Sequence, residues 1–362
     1  MRLNPYIKPK YNSTRSVMVD VLIALLPVMF VGTLAYGSLF VSNILWATAA
    51  ALLSEFLFAV IYTKHYKSVL DGSAVVTAWL LCCTLSVITP WYMIVFGAFA
   101  AVTFGKMVWG GLGKNRFNPA LVGREFMVCF FPVVMTSAAI WQSSNVIVTE
   151  AEPFFPGLTD PTLNEYLSHL VYHTTGAMGE YSIVALLVGG LYLILRRRIS
   201  WHIPFSLLTV FMISFWLIDG GSVYNFSFGG VLLGTLFMAT DMPSSPTNPY
   251  GKLYYGAMIG LVAFIMIIGG ASYEYMSYSI LILNGFSYYI STVFVPRIWG
   301  RSLNYGKRLE AIFLLTLCIL GTSLAILSLN YYNLIHYLVY VYMFYIILKF
   351  NYSFIKQIKN PI

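Results

Sequence analysis

Charge is what this sequence has least of. Lys, Arg, Asp and Glu make up 9% of its 362 residues, against 59% hydrophobic. Soluble domains carry about 25% charged residues, so a water-facing globular surface is excluded. The mean hydropathy of +0.77 agrees. Cysteine is scarce as well: Cys82, Cys83, Cys129 and Cys318 are the only four, none forms a CxxC pair, and all fall in apolar runs, where they read as small packing residues. No Cys/His cluster has metal-ligand spacing and no Walker A loop occurs, which excludes the usual zinc and nucleotide-hydrolysis signatures. A cleavable signal peptide is not visible either. The N-terminus is polar and basic through Ser16, and the first apolar run is full length.

Long apolar runs are what the chain does have. They predict an all-α polytopic membrane protein with spans near 17–36, 39–62, 73–90, 92–109, 121–138, 181–196, 202–218, 226–240, 253–271, 278–295, 311–329 and 333–350. Each approaches the ~20 residues that cross hydrocarbon. Paired as hairpins, these spans put all 21 Lys and Arg on one face. Basic residues are retained at the cytoplasmic face, so both termini are expected inside. The net charge of +8 then belongs to loops rather than to a nucleic-acid site.

The expected organisation is a cytoplasmic N-terminus (1–16), a first five-helix half (17–138), a long extracytoplasmic loop (139–180), a second five-helix half (181–310) and a C-terminal hairpin with its tail (311–362). The long loop contains no Lys or Arg but holds Glu150, Glu152, Asp160, Glu165 and Glu180. If the two halves are homologous, an odd number of spans per half makes them a 5+5 inverted repeat with a site at the midplane. Spans three, six and eight are short and carry Gly or Ser, a pattern of broken helices.

Three stretches carry chemistry. Asp71-Gly-Ser73 opens span three, either as a helix cap or as a helix end facing a flavin or an ion. Gly110-Gly-Leu-Gly-Lys-Asn-Arg-Phe-Asn-Pro-Ala-Leu-Val-Gly-Arg124 concentrates Lys114, Arg116 and Arg124 around glycines and Asn118. It reads either as a tight basic loop or as a phosphate cradle. Asp241 ends Met238-Ala-Thr-Asp, where two prolines stop the helix. Membrane-depth acids are candidates for an ion path, which selects Asp20, Asp71 and Asp241; Asp20 and Glu55 are also compatible with helix ends that water reaches, and Glu125 completes the set of near-buried acids.

In order, Ser16–Pro27, Asp71–Thr77, Gly110–Arg124, Gly179-Glu180, Gly229–Gly234 with Met238–Asp241, and Pro296-Arg297 resemble the RnfD proteins of Rnf electron-transport complexes. The wider family includes the NqrB component of the sodium-pumping NADH:quinone reductase, which is the alternative assignment. The resemblance covers about 16–301. It implies a flavin-carrying membrane subunit of an oxidoreductase that couples electron transfer between ferredoxin and NAD to Na+ or H+ movement and is not catalytic alone. It implies an FMN joined through a phosphodiester to a threonine after span five, and a second flavin, riboflavin or FMN, among the helices. The partners implied are a G-type flavoprotein, two small multi-span subunits and cytoplasmic iron–sulfur and flavin subunits, in a prokaryotic inner membrane. The family's Ser-Gly-Ala-Thr is replaced here by Pro156-Gly-Leu-Thr159, so Thr159 is the first attachment candidate and Thr162 the second. The altered motif and Gly-rich short spans also leave open a cofactor-free channel or secondary transporter, or a structural scaffold.

Overall fold

The ends of the helices follow from single residues. Ser13 caps α1 (Thr14–Tyr36), its Oγ accepting from the Ser16 N–H at 3.2 Å. Gly37, at φ 61°, then lets the chain double back into α2 (Ser38–Phe58), which ends in a wide i to i+5 turn over Ala59–Thr63. Gly72, at φ 83°, precedes the short α3 (Ser73–Cys83). Helix α4 (Trp91–Ala100) runs into a π segment over Ala101–Met107. Asn118 caps α5 (Pro119–Phe130) with proline at its first turn, and Pro132 starts the separate short α6 (Pro132–Met135).

The second half continues with α7 (Ile183–Leu195), α8 (His202–Ile218), α9 (Phe228–Leu233, extended by a π segment over Gly234–Met238), α10 (Pro249–Ile268) and α11 (Tyr275–Val293). A hairpin of α12 (Tyr305–Tyr331) and α13 (Ile335–Lys359) follows. This computed structural model describes residues 13–63, 66–137, 176–218, 226–271, 273–296 and 305–359, and no strand occurs among them. Thr159, Thr162, Arg297 and most of the 139–180 loop lie outside the described residues.

The burial pattern is that of a protein solvated by lipid. On α1, Val19, Ile23, Leu26, Phe30 and Leu34 form an exposed apolar stripe at three- and four-residue spacing, while Asp20 is buried. Water is not the solvent for such a face, so helix association rests on close packing and internal polar contacts. Glycine supplies the closeness. A Cβ at Gly256 or Gly260 of α10 would sit 2.6 Å from the Ile203 carbonyl oxygen or 2.5 Å from that of Leu207 on α8. The Gly-x-x-x-Gly spacing thus seats the two backbones against each other. Gly189 of α7 meets the Ala24 carbonyl of α1 in the same way.

Spans three, six and eight are short here, as α3, α7 and the Phe228–Met238 run. Both α3 and the α9 run end in irregular backbone with one shared spacing, Thr84 to Pro90 and Thr240 to Pro246. Such backbone is tolerable at membrane depth only when other groups take its hydrogen bonds, and they do. Asn43 Nδ2 donates to the Val87 carbonyl at 2.8 Å, and the Met178 N–H donates to that of Leu85 at 2.8 Å. On the other side, Asn118 Nδ2 donates to the Met238 carbonyl at 3.2 Å. Spans three and eight are the pair that would correspond in a 5+5 arrangement.

Two expectations need correction. Span five is not one helix to residue 138, because α5 stops at Phe130 ahead of Pro132. Lys106 and Arg124 are not loop charges at a membrane face: both are buried, at 2% and 4% exposure, and both are paired.

Candidate functional site

A cavity of about 280 Å3 lies where α1, α3, the loop before α5, the end of α7 and the end of the α9 run meet. Its wall includes Met18, Ser73, Thr77, Lys106, Asn115, Asn118, Arg198 and Asp241. Four separate sequence motifs, those of 16–27, 71–77, 110–124 and 238–241, therefore converge on one space.

The charges at this cavity are tied to one another. Asp20 accepts from Arg198 Nε at 2.5 Å, Arg196 Nη2 at 3.3 Å and the Tyr192 hydroxyl at 3.1 Å. Lys106 donates to both oxygens of Glu55, at 2.8 and 3.0 Å, and to the Ser73 hydroxyl. Ser73 in turn donates its N–H and hydroxyl to Asp71 Oδ1, at 2.7 and 2.5 Å. A chain Asp71–Ser73–Lys106–Glu55 thus runs from the cap of α3 through the π segment after α4 into α2. The capping role of Asp71 is realised, and Ser73 links that cap to the cation. Glu55 is fully buried, not at a watered helix end, and Asp20 is 3% exposed.

Asp241 is held differently. It accepts from the Ser244 hydroxyl at 2.9 Å and from Asn115 Nδ2 at 3.3 Å, with no cation against it among the described salt bridges.

The side chains of the 110–124 stretch are not brought together at one place. Lys114 and Arg116 are exposed, whereas Asn115 and Asn118 turn inward. Arg124 is elsewhere, in a second buried cluster. Its Nε and Nη2 grip Glu274 at 2.7 and 2.8 Å, Nη2 reaches the Tyr273 carbonyl at 3.1 Å, and Nη1 donates to that of Thr84. Glu180 belongs to this cluster, its carboxylate lying within 3.0 Å of where a Cβ on Gly176 or Gly230 would sit. The glycines of Gly229–Gly234 thus make room for an acid. Glu274 is the residue that sequence reasoning missed. It sits alone in a polar connection with no motif around it, and only the fold brings it to Arg124. Among the described residues no group of three or more His, Cys, Asp or Glu could hold a metal ion.

A flavin can be tested against the cavity's chemistry. Lys106 and Arg198 are committed to carboxylates, so a phosphate finds no spare cation on this wall. Apolar side chains of Met18, Leu236 and Phe237 beside Thr77, Asn115 and Thr240 fit an uncharged ring with hydrogen-bonding edges. The residues therefore fit a riboflavin-like group better than an FMN phosphate.

Comparison with known proteins completes the description. Residues 1–300 match the NQR2, RnfD, RnfE family. The D component of the Na+-translocating ferredoxin:NAD+ oxidoreductase complex of Acetobacterium woodii is 36% identical over 310 residues, covering 82% of this chain and 94% of that protein. The D component of the ion-translocating oxidoreductase complex of Alcanivorax borkumensis is 34% identical over 82% of this chain and 95% of its own length. The D component of the proton-translocating ferredoxin:NAD+ oxidoreductase complex of Clostridium ljungdahlii is 31% identical over 75% and 88%. Helices α12 and α13 lie beyond the matched residues. With its buried charge pairs, its apolar outer faces and these matches in hand, the chain is a membrane protein that belongs to the NQR2, RnfD, RnfE family, on its RnfD branch.

Proposed function

We infer that this chain is the flavin-carrying membrane subunit of an Rnf-type complex, which couples electron transfer between ferredoxin and NAD to translocation of Na+ or H+. The observation that carries the reading is the convergence of four resemblance motifs on one cavity between the two halves. The relatives named for Na+ and for H+ are similarly distant, at 36% and 31% identity, so the reading includes both ions.

In this reading a flavin supplies one- and two-electron chemistry when bound. The chain's own residues position and insulate it. Thr77, Asn115 and Thr240 offer polar edges, and the Lys106–Glu55 and Arg198–Asp20 pairs fix the wall's electrostatics without leaving a net charge from either pair. Asp241 is the acid on that wall able to exchange a proton or meet a cation without first breaking a salt bridge. An FMN joined to Thr159, or second to Thr162, would serve exchange with a G-type flavoprotein, while two small multi-span subunits and the cytoplasmic iron–sulfur and flavin subunits complete the path. In this reading the termini lie in the cytoplasm of a prokaryotic cell and the chain in its inner membrane, as the one-sided distribution of Lys and Arg supports.

The test is in-gel flavin fluorescence of the denatured protein, expressed with a flavin transferase, beside Thr159→Ala and Thr162→Ala. A band lost only in Thr159→Ala supports the attachment. A dark parent band, together with no flavin released on denaturation, overturns the flavin-carrying role and favours the transporter reading, for which the paired broken helices are the supporting feature.

A further inference from the structure

The motif-lined cavity makes no use of Lys114 and Arg116, which stay exposed. The fold brings a third exposed cation beside them, Lys349 of α13, and the three gather round Trp109. Lys349 Nζ lies over the Trp109 ring, 3.7 Å from its centroid. Gly110, at φ 111°, turns the chain so that Lys114 folds back across it, with Nζ 3.6 Å from where a Cβ on Gly110 would sit. Arg116 directly precedes Phe117, whose ring meets that of Trp109 edge-on at 6.3 Å. It is also near enough for its charge to act on Lys349. None of these cations forms a salt bridge among the described residues. Like charges held together with no acid between them favour an anion.

The patch stands over a second cavity, distinct from the one that the motifs line. It measures about 290 Å3 and lies between α5, α11, α12 and α13. Phe117 and Tyr342 belong to its wall, and Tyr342 is tied to the patch, its hydroxyl accepting from Trp109 Nε1 at 3.2 Å. From that end the wall runs away from the cations, along Val122 and Phe126 on α5 and back to Ile335 on α13. The seven residues from Tyr342 to Ile335 correspond to a depth of about 10 Å. The accessible wall is almost wholly apolar, since the hydroxyls of Thr322 and Tyr342 are spent on the Ile319 and Phe104 carbonyls. Gly285 of α11 keeps the space open behind Phe117: a Cβ there would meet only that ring, at 3.8 Å.

One occupant complements both halves, a phospholipid with an anionic head. Its phosphate meets the cations and its chain meets the apolar wall. A free phosphate would use the patch alone, and an acidic protein segment would leave the cavity unfilled. A zwitterionic lipid would bring a cation of its own against Arg116 and Lys349. The setting agrees, because tryptophan marks the head-group level and basic pockets between spans recognise anionic head groups. The hairpin lies outside residues 1–300 that match the family, and it supplies both Lys349 and one side of the cavity, so the site is an addition to the shared core. We propose that Lys114, Arg116 and Lys349 form the head-group end of a binding site for one anionic phospholipid, with an acyl chain in the cavity that the C-terminal hairpin closes. The site does not depend on the flavin reading, and its assay contains no electron donor.

The experiment uses the full chain in phosphatidylcholine nanodiscs doped with phosphatidylglycerol that carries a mid-chain diazirine. Photo-crosslinked peptides are mapped by mass spectrometry, with unlabelled phosphatidylglycerol, added phosphatidylcholine and inorganic phosphate as competitors. The expected labels fall on the cavity-lining parts of α5, α11 and α13, and only phosphatidylglycerol displaces them. Arg116→Gln and Lys349→Gln, both changes of exposed side chains, should each weaken the labelling about fivefold, and Arg116→Lys should keep it. Gly285→Leu fills the cavity and should remove these labels, while background labelling of the lipid-facing side of α1 persists and shows that the variant is still folded in the bilayer. Equal displacement by phosphatidylcholine, displacement by inorganic phosphate, or labels unchanged in the glutamine variants or in Gly285→Leu would each overturn the proposal. So would the absence of wall labels in the parent, which would leave the patch to an acidic segment of a partner protein.

Discussion

Removing the Lys106 ammonium while keeping its volume is the sharpest test of how the motif-lined cavity is held together. Lys106 is 2% exposed and Glu55 fully buried, with their contact at 2.8 Å. In Lys106→Met the Glu55 carboxylate loses its counter-charge in a setting that water does not reach. Breaking a buried pair from one side costs about 3–5 kcal/mol. Glu55→Gln leaves the ammonium a neutral amide oxygen and the Ser73 hydroxyl but no counter-charge, and should cost a similar amount. The double variant Glu55→Gln/Lys106→Met removes both charges, and such replacements are commonly near neutral. Its stability should therefore lie within about 1 kcal/mol of the parent, which gives a large coupling in the double-mutant cycle. Equilibrium unfolding in mixed micelles reads all four proteins. If Lys106→Met costs less than about 1 kcal/mol, or if the double variant is as unstable as the singles, the charges are not paired as described. The stable double variant then also serves function: if the pair only braces the wall, complex activity survives in it, and if the cation acts on a bound group, activity is lost although the fold is kept.

Gly260→Leu places a side chain where a Cβ already lies 2.5 Å from the Leu207 carbonyl oxygen; it should separate α8 from α10 and cost about 1–3 kcal/mol or more, seen as lost monodispersity in detergent, whereas Gly321→Leu on α12, where nothing lies within 4 Å, should not. Arg124→Lys keeps the charge but loses the two-pronged grip on Glu274, so unfolding should show a loss of about 1–3 kcal/mol, and parent-like stability would mean that a point charge suffices there. Truncation after residue 304 should leave α1–α11 folded by circular dichroism, since the family match ends at residue 300, and a collapse of helicity would show the hairpin to be part of the core.

The fold is legible in the sequence because lipid imposes one rule on every span. Apolar runs and the placement of basic residues are local properties, and they mark α1, α2, α10 and α12 closely. Broken spans are legible for the same reason, since Gly72 and the prolines around Asp241 act where they stand. Inferences that join neighbours in sequence are the ones that fail. Gly110 to Arg124 reads as one basic unit, but Asn118 starts a helix inside it, and half a helix is enough to carry Arg124 from the loop to Glu274. Lys106 reads as a loop charge because nothing at the level of sequence shows where a π segment keeps a cation inside. The convergence of four motifs on one cavity is not readable from spacing, because it depends on which helices touch.

The distribution of buried charge separates structure from function more sharply than the motifs do. Lys106–Glu55 joins the π segment after α4 to α2, Arg198–Asp20 joins the end of α7 to α1, and Arg124–Glu274 joins α5 to the connection before α11. Each is a tie between elements distant in sequence, and a pair so placed cannot change its charge state without loosening the contact it makes. A site that moves ions or protons needs the opposite: an acid whose charge can change while its neighbours stay in place. Asp241 meets that condition, with one amide and one hydroxyl as partners that accommodate either state. Of the three acids that membrane depth selects for an ion path, Asp20 thereby braces α1 and Asp71 caps α3, and Asp241 is the one whose surroundings suit exchange. Asp241→Asn should therefore lower ion-coupled activity far more than it lowers stability at neutral pH, whereas Asp20→Asn should lower both together. Parallel measurements of complex activity and micellar unfolding at pH 7.5 decide between them, and equal losses in both properties for Asp241→Asn would place it among the braces.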